Sequence, residues 1–384
     1  MIYLDHNATS PLRPQATAAM ARALEIGGNP SSVHAAGRAA RALIEEAREP
    51  VAEFAQAAPG EVIFVSGGAE ANTLALRGAV AGAAEAGQPI TRMLVQATSH
   101  DSVRAGAASL PETIPGLQLF EIPVDANGRV DVDALRAQLA NGDGCALISL
   151  IYVNNETGVV EDIASLVRHI RAETKALIHV DAVSSGYCPI RFREWDADYL
   201  SLSAHKIGGP QGVGALIVRD GAPLAPLFNG FQEMRRRGGT ENVSGIAGFG
   251  AAVHALKVNR EEEVAHVTAI RDSFENAVAD LGTIVFAKNV VRAANTSCFA
   301  LPGLAAETAL MALDLDGIGV SSGAACSSGK VGRSHVLKAM GISDELARCA
   351  LRVSFGWNSR AEDADACIAS LEKLLARVSA RKAA

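Results

Sequence analysis

Cys326 stands in the stretch "SSGAACSSGK", Ser321 to Lys330, among residues that are nearly all small or hydroxylated. A structural cysteine normally sits among apolar neighbours, whereas runs of Ser, Gly and Ala mark loops in which a thiol can be reached. Two further side chains lie where burial would change their chemistry. Asp181 follows the apolar run "LIHV", so its carboxylate falls at or below the rim of a sheet, where an unpaired charge is costly. It is either a helix N-cap or a carboxylate held for a cationic partner. Lys206, in "SAHKIGGPQGVG", is flanked by small residues and a Gly-rich loop and is badly placed for a solvated helix face. A lysine in such a place is a candidate Schiff-base amine, because partial burial frees the nitrogen lone pair. His100, ending "VQATSH", can supply an aromatic ring. Pyridoxal 5'-phosphate needs these groups together: an amine, a carboxylate to keep the pyridine nitrogen protonated as an electron sink, a stacking ring and a phosphate cup.

The elements that must position these residues are legible as alternation. "EVIFVSGG" is a short β-branched and aromatic run ending in a Gly turn, and "AEANTLALRGAVAGAAEAG" resumes a helical pattern. The unit recurs at "RMLVQATSHDSVRAGAASL", at "CALISLIYVNNETG" before "DIASLVRHIRAET", and at "ALIHVDAVSS" before "ADYLSLSAHKIGGPQGVGALIVR". Such alternation predicts an α/β fold, a largely parallel sheet with helices on both faces. Ligands of such sheets bind at the carboxyl ends of the strands, where "FVSGGAE", "VQATSH", "YVNNETG" and "HVDAVSS" all fall. The turn in "SGGAE" is common in proteins without ligands, yet its N–H groups at a helix start suit a phosphate. The absence of GxGxxG spacing and of a GK[ST] ending argues against nucleotides.

The stretch from Ser31 to Ala57 reads as an amphipathic helix interrupted or kinked at Pro50, and from about Glu261 the texture changes to longer charged helical segments. The expected division is a large domain over 16–258 and a smaller α+β domain over 1–15 plus 259–384. Of the 384 residues, 49% are hydrophobic and only 4% aromatic, an ordinary α/β composition. A net charge of -7 argues against a sequence-independent nucleic-acid binder, which needs a basic face. The first residues, "MIYLDHNATSPLRP", have no basic and apolar leader pattern, and no apolar run approaches the roughly 18 residues that cross a bilayer. A cytoplasmic location is expected. Cys145, Cys188, Cys298, Cys326, Cys349 and Cys367 show no metal-ligand spacing, so no metal site is read and the five other than Cys326 are expected in the core.

Taken together, "YLDHNATSPL", "GNPSSVH", "SGGAEANTLAL", "TSHDSV", "VNNETGVV", "HVDAV", "SAHKIGGPQGVGAL", "RRGGTENVSGIAG", "SSGAACSSG" and "LRVSFG" span nearly the whole chain, which resembles the class V aminotransferase family and, within it, cysteine desulfurases of the NifS/IscS type. The lysine motif, "GGTEN" and the cysteine loop discriminate best. The resemblance implies the fold of aspartate aminotransferase-like, pyridoxal phosphate-dependent enzymes (fold type I), a homodimer with a shared active site, L-cysteine as substrate and L-alanine as product. It implies that Lys206 holds the cofactor and moves protons, Asp181 pairs with the pyridine nitrogen, and His100 stacks on the ring. Asn155 and the position of Ser184 approach the ring hydroxyl, Asn155 also reaching the substrate. Ser203, His205, Gly68 and Ala69 hold the phosphate, joined by Thr240 from the neighbouring subunit, and Arg352 clamps the substrate carboxylate, a task suited to a planar guanidinium. Cys326 is implied as the thiolate that takes the sulfur as a persulfide and passes it to an acceptor such as an iron–sulfur scaffold or a tRNA-thiolation protein. The loop length resembles the branch that serves scaffold proteins.

Four positions depart from the family pattern. Ala69 stands for a threonine, Ser184 for a glutamine, Met234 for an arginine and Phe231 for a glycine. Each of the first two losses is worth about 1 kcal/mol where water replaces the contact. A selenocysteine lyase or another class V aminotransferase, with Cys326 incidental, is the alternative enzyme, and a scaffold retaining only the fold is the alternative outside catalysis.

Overall fold

The computed structural model describes residues 1–140, 142, 144–322 and 333–383. Thirteen strands are formed among them: β1 (Ile2–Tyr3), β2 (Val62–Val65), β3 (Ile90–Gln96), β4 (Gln118–Ile122), β5 (Cys145–Ile151), β6 (Leu177–Asp181), β7 (Tyr199–Ser203), β8 (Gly214–Val218), β9 (Ile284–Val285), β10 (Thr296–Ala300), β11 (Ile318–Gly319), β12 (Ser321–Ser322) and β13 (Ala350–Ser354). Seven of these make the large sheet, in the order β2-β8-β7-β6-β5-β3-β4. All neighbours pair in parallel except β8, which runs antiparallel to both β2 and β7. The carboxyl ends of β2, β3, β5, β6 and β7 therefore share one edge of the sheet.

Both faces of the sheet are covered, which is what a parallel sheet of near-continuous apolar strands requires. The two-residue period of a strand divides each sequence between them. Val62, Phe64, Leu94, Ala215 and Ile217 join one buried cluster, while Ile63, Val65, Met93, Val95, Leu216 and Val218 join the other. A second sheet, β12-β13-β10-β9, is antiparallel and packs its own core of Phe274, Phe299, Leu351, Phe355 and Leu371.

One helix, Val243–Ala279, joins the two cores: Ile246, Phe249 and Val253 pack in the first, Val267, Ile270 and Phe274 in the second. The change of texture near Glu261 is thus a change of packing partner within a single helix, since charge pattern reports solvent exposure and not helix ends. Helix Ala35–Ala55 likewise runs through Pro50 without interruption, because one lost backbone hydrogen bond is tolerated where burial of Ile44, Val51 and Phe54 fixes both halves. The expectation of five core cysteines also needs correction. Cys188, Cys298, Cys349 and Cys367 are buried, but Cys145 is exposed at the first residue of β5, before that strand enters the sheet interior.

Candidate active site

Asp181 ends β6 and is 3% exposed. Each carboxylate oxygen holds one donor: Oδ1 accepts from the Val183 backbone N–H at 3.0 Å and Oδ2 from Asn72 Nδ2 at 2.9 Å, which leaves acceptor capacity on both. No helix starts at Asp181, so the N-cap reading is corrected: the carboxylate holds a local backbone turn at Val183 and lines a cleft of ≈ 200 Å³. Around that cleft stand Gly68, Ala69, His100, Asn155, Asp181 and Ser184, with Ser203, His205 and Lys206 closing the β7 side. Nine of the residues singled out from the sequence thus converge on one cavity.

The turn after β7 explains how three of them do so. Ala204–Lys206 is a single tight turn, and Gly208 beyond it has φ +81 with its Cα against the Arg13 side chain, where a Cβ would lie 2.6 Å from Arg13 Cγ. Only glycine combines that backbone with that approach. Lys206 Nζ donates to the backbone carbonyls of Asn7 and, at 3.2 Å, Ala8. His205 Nδ1 meets Thr9 Oγ1 at 3.2 Å, and its pKa is pushed down to about 4 by burial and then by the charge of Lys206. The ring is neutral at pH 7. The N-terminal segment is thereby a wall of the site, which its weak strand pattern concealed.

Whether this cavity suits a phosphorylated pyridine is decided by what its polar atoms lack. Ser203 Oγ is buried and has no hydrogen-bond partner among the described residues. A buried hydroxyl left unmet is costly, and an acceptor oxygen in the cleft removes that cost. Gly68 opens the helical run 68–85. A Cβ there would lie 2.7 Å from Val183 Cγ2 and close the cup into which the first-turn N–H groups face. Unmet hydroxyl, open cup, neutral imidazole, amine and buried carboxylate fit the cofactor.

Arg352 and its neighbours form the other end of the site. Arg352 is 1% exposed in β13; Nη1 donates to the Asn155 backbone oxygen at 3.0 Å and Nη2 to Asp5 Oδ1 at 2.6 Å, while Nε has no partner among the described residues. It stands behind Asn155 and does not itself line the cleft. Asp5 is absent from the expectations because its pairing with residue 352 depends wholly on tertiary structure. Glu156, also unforeseen, is buried beside Asn155 and accepts the Ser334 hydroxyl at 2.5 Å; burial pushes its carboxyl up to about 7. Ser334 in turn caps helix His335–Ala339, and His335 Nε2 donates to the Ser99 carbonyl at 2.9 Å. Thr240 is exposed and outside the cleft of this single chain. Cys326 lies outside the described residues; the chain leaves them at Ser322, paired with Leu351, and rejoins them at Arg333.

Residues 2–367 match the aminotransferase class-V family. The chain is 38% identical to "Cysteine desulfurase IscS" of Dictyoglomus turgidum, across 98% of this chain and 95% of the relative. It is 40% identical to "Cysteine desulfurase" of Cereibacter sphaeroides, across 94% and 92%. A solved structure described as a NifS-like protein superposes with a TM-score of 0.90 at 29% identity, covering 98% of this chain and 99% of the other.

Proposed function

The chain belongs to the class-V aminotransferase family, and from that premise we propose that it is a pyridoxal 5'-phosphate-dependent cysteine desulfurase, converting L-cysteine to L-alanine. The observation that carries this reading is the convergence of Lys206, Asp181, His100, Ser203, His205 and Gly68 on one cavity. When bound, the cofactor supplies the electron sink that loosens bonds at the amino acid's Cα and Cβ.

The chain's own groups have distinct tasks. Lys206 anchors the cofactor and carries protons, its amine steered by the carbonyls of Asn7 and Ala8. Asp181, fixed by Val183 and Asn72, would pair with the pyridine nitrogen and keep it protonated. His100 would cover the ring and Asn155 would meet its hydroxyl and contact the substrate, with Ser184 beside them in the position where the family's glutamine contact is lost. Ser203, neutral His205 and the N–H groups of Gly68 and Ala69 receive the phosphate. Thr240 is assigned to the same phosphate from the second subunit of a homodimer. Arg352 attracts the substrate carboxylate toward Asn155. The Cys326 thiolate attacks the substrate sulfur; the C–S bonding pair stays with Cβ, which takes up a proton, and the sulfur remains as a persulfide for a protein acceptor of the iron–sulfur scaffold or tRNA-thiolation type. The domain division at 258/259 belongs to the same proposal, as does a cytoplasmic location, where thiols stay reduced. No helix among the described residues is long and apolar enough to cross a membrane.

The test is to supply cysteine and a reductant and to follow alanine and sulfide together in wild type and Cys326→Ala. Equal yields that vanish in the variant are expected. Full alanine production by Cys326→Ala overturns the role of the thiol, and a cofactor-loaded protein that turns over only other amino acids overturns the substrate.

A further inference from the structure

The contact of Asn72 with Asp181 is one link of a chain of hydrogen bonds that continues to His100. Asn72 is 1% exposed, and Nδ2 donates both of its hydrogens, to Asp181 Oδ2 and to Ser102 Oγ, each at 2.9 Å. A carboxylate only accepts, so the amide nitrogen and not the oxygen faces Asp181. The Ser102 backbone N–H reaches His100 Nδ1 at 3.1 Å. A backbone N–H only donates, so Nδ1 is the accepting nitrogen and the ring N–H is the one at Nε2. The Ser102 hydroxyl, already an acceptor from Asn72, then donates to Nδ1 at 2.8 Å. The Asp181 carboxylate and the Ser102 backbone N–H thus set the direction at the two ends of the chain, and the rotatable Ser102 hydroxyl, which shares the Nδ1 lone pair with that N–H, joins them.

Asn72 Oδ1, meanwhile, is buried without a partner among the described residues. A residue kept only for packing avoids an unmet acceptor of this kind. We propose that Asn72 and Ser102 are positioning residues: Asn72 fixes the carboxylate plane of Asp181 and, through Ser102, holds His100 in one orientation and as the Nε2–H tautomer. The inference rests on the reading of the cleft as a pyridoxal phosphate site. It couples the two groups that grip the cofactor ring, its nitrogen partner and its stacking partner, through one amide.

The experiment uses the cofactor-loaded protein, wild type and the variants Asn72→Ala, Ser102→Ala and Ser102→Thr. Two quantities are read: the cofactor dissociation constant, and the pH midpoint of the visible band of the lysine-linked cofactor. In Asn72→Ala the constant rises about tenfold, the weight of a hydrogen bond to a charged group. The midpoint moves up by about one pH unit, because a weaker carboxylate contact leaves the pyridine nitrogen less positive and the lysine-linked nitrogen more basic. Ser102→Ala shifts both in the same direction by less, and Ser102→Thr, which keeps the hydroxyl, returns wild-type values. Nitrogen-15 spectra of histidine-labelled wild type show His100 Nδ1 as the unprotonated nitrogen. Wild-type values in Asn72→Ala, equal effects of Ser102→Ala and Ser102→Thr, or a protonated Nδ1 each overturn the proposal. Should Asn72→Ala fail to fold, the Ser102 pair decides. Should wild type show no visible band, the cleft reading fails, and the histidine tautomer alone decides the hydrogen-bond chain.

Discussion

The two ends of the cleft are built on opposite terms. At the sheet end Asp181 has both carboxylate oxygens bound by N–H donors, and His179, two residues earlier on β6, sits between the hydroxyls of Ser149 and Ser201 at 2.8 and 2.9 Å. At the opposite end Arg352 keeps a buried Nε unmet and leans on Asp5, while Glu156 carries a carboxyl held up to about 7 by burial. At the sheet end the carboxylate is held before anything binds, although the Ser203 hydroxyl waits unmet, and the Arg352 end keeps a charged donor in reserve. A rigid ring needs the first; a substrate that must enter, react and leave needs the second.

Variants that strike both ends measure this contrast. The largest effect is expected from Lys206→Ala, which removes the proposed anchor and proton carrier: alanine formation falls by about a thousandfold or more, and a variant with substantial residual turnover would dissolve the contrast altogether. Next is Arg352→Lys. A compact ammonium cannot reproduce the planar fork that meets Asn155 and Asp5, so KM for cysteine rises by about ten- to a hundredfold with cofactor affinity unchanged. Loss of cofactor affinity in that variant would show that the two ends are not separable.

Glu156 gives a pH signature. Its folded-state pKa lies near 7 and above the ordinary carboxyl value, so the folded protein binds the extra proton. Its stabilisation is complete below the unfolded pKa and is lost as pH rises through about 7. Relative to Glu156→Gln, wild type therefore loses on the order of 2 kcal/mol between pH 5 and pH 8, read as a difference in denaturation midpoints; parallel pH profiles would place Glu156 among ordinary exposed carboxylates. Glu161, buried and also near 7, moves both proteins alike and cancels in that difference. The smallest effect is Ser203→Ala. Removing an unmet hydroxyl leaves the cofactor-free protein as stable or slightly more so, yet weakens cofactor binding by about fivefold. Equal losses in both states would mean that Ser203 is only a packing residue.

Much of the site was legible because strand ends carry a local signal. An apolar run that stops at a polar residue marks the rim of the sheet, and "HVDAV", "TSH" and "SAHK" do so within a few residues of chain. The same logic recovered the strand-and-helix alternation, whose two-residue period reappears in the division of Val62–Val65 between the two cores. Where a pattern had two physical readings it was ambiguous: the charge beyond Glu261 coincides with one continuous helix changing the core it faces, not with a helix end. Cys145 misled, since apolar neighbours in sequence do not say at which residue a strand becomes covered.

The sequence by itself determined the chemistry on offer and the periodicities that make a parallel sheet, because residue types and short-range spacing fix both. Tertiary structure alone decided which groups hold those residues in place. Asp5 meets Arg352, Asn7 meets Lys206, Glu156 meets Ser334, and Asn72 meets both Asp181 and Ser102. These partners come from different strand ends and from the small sheet. Their encounter is set by the order in which strands assemble, and nothing local to either residue records that order.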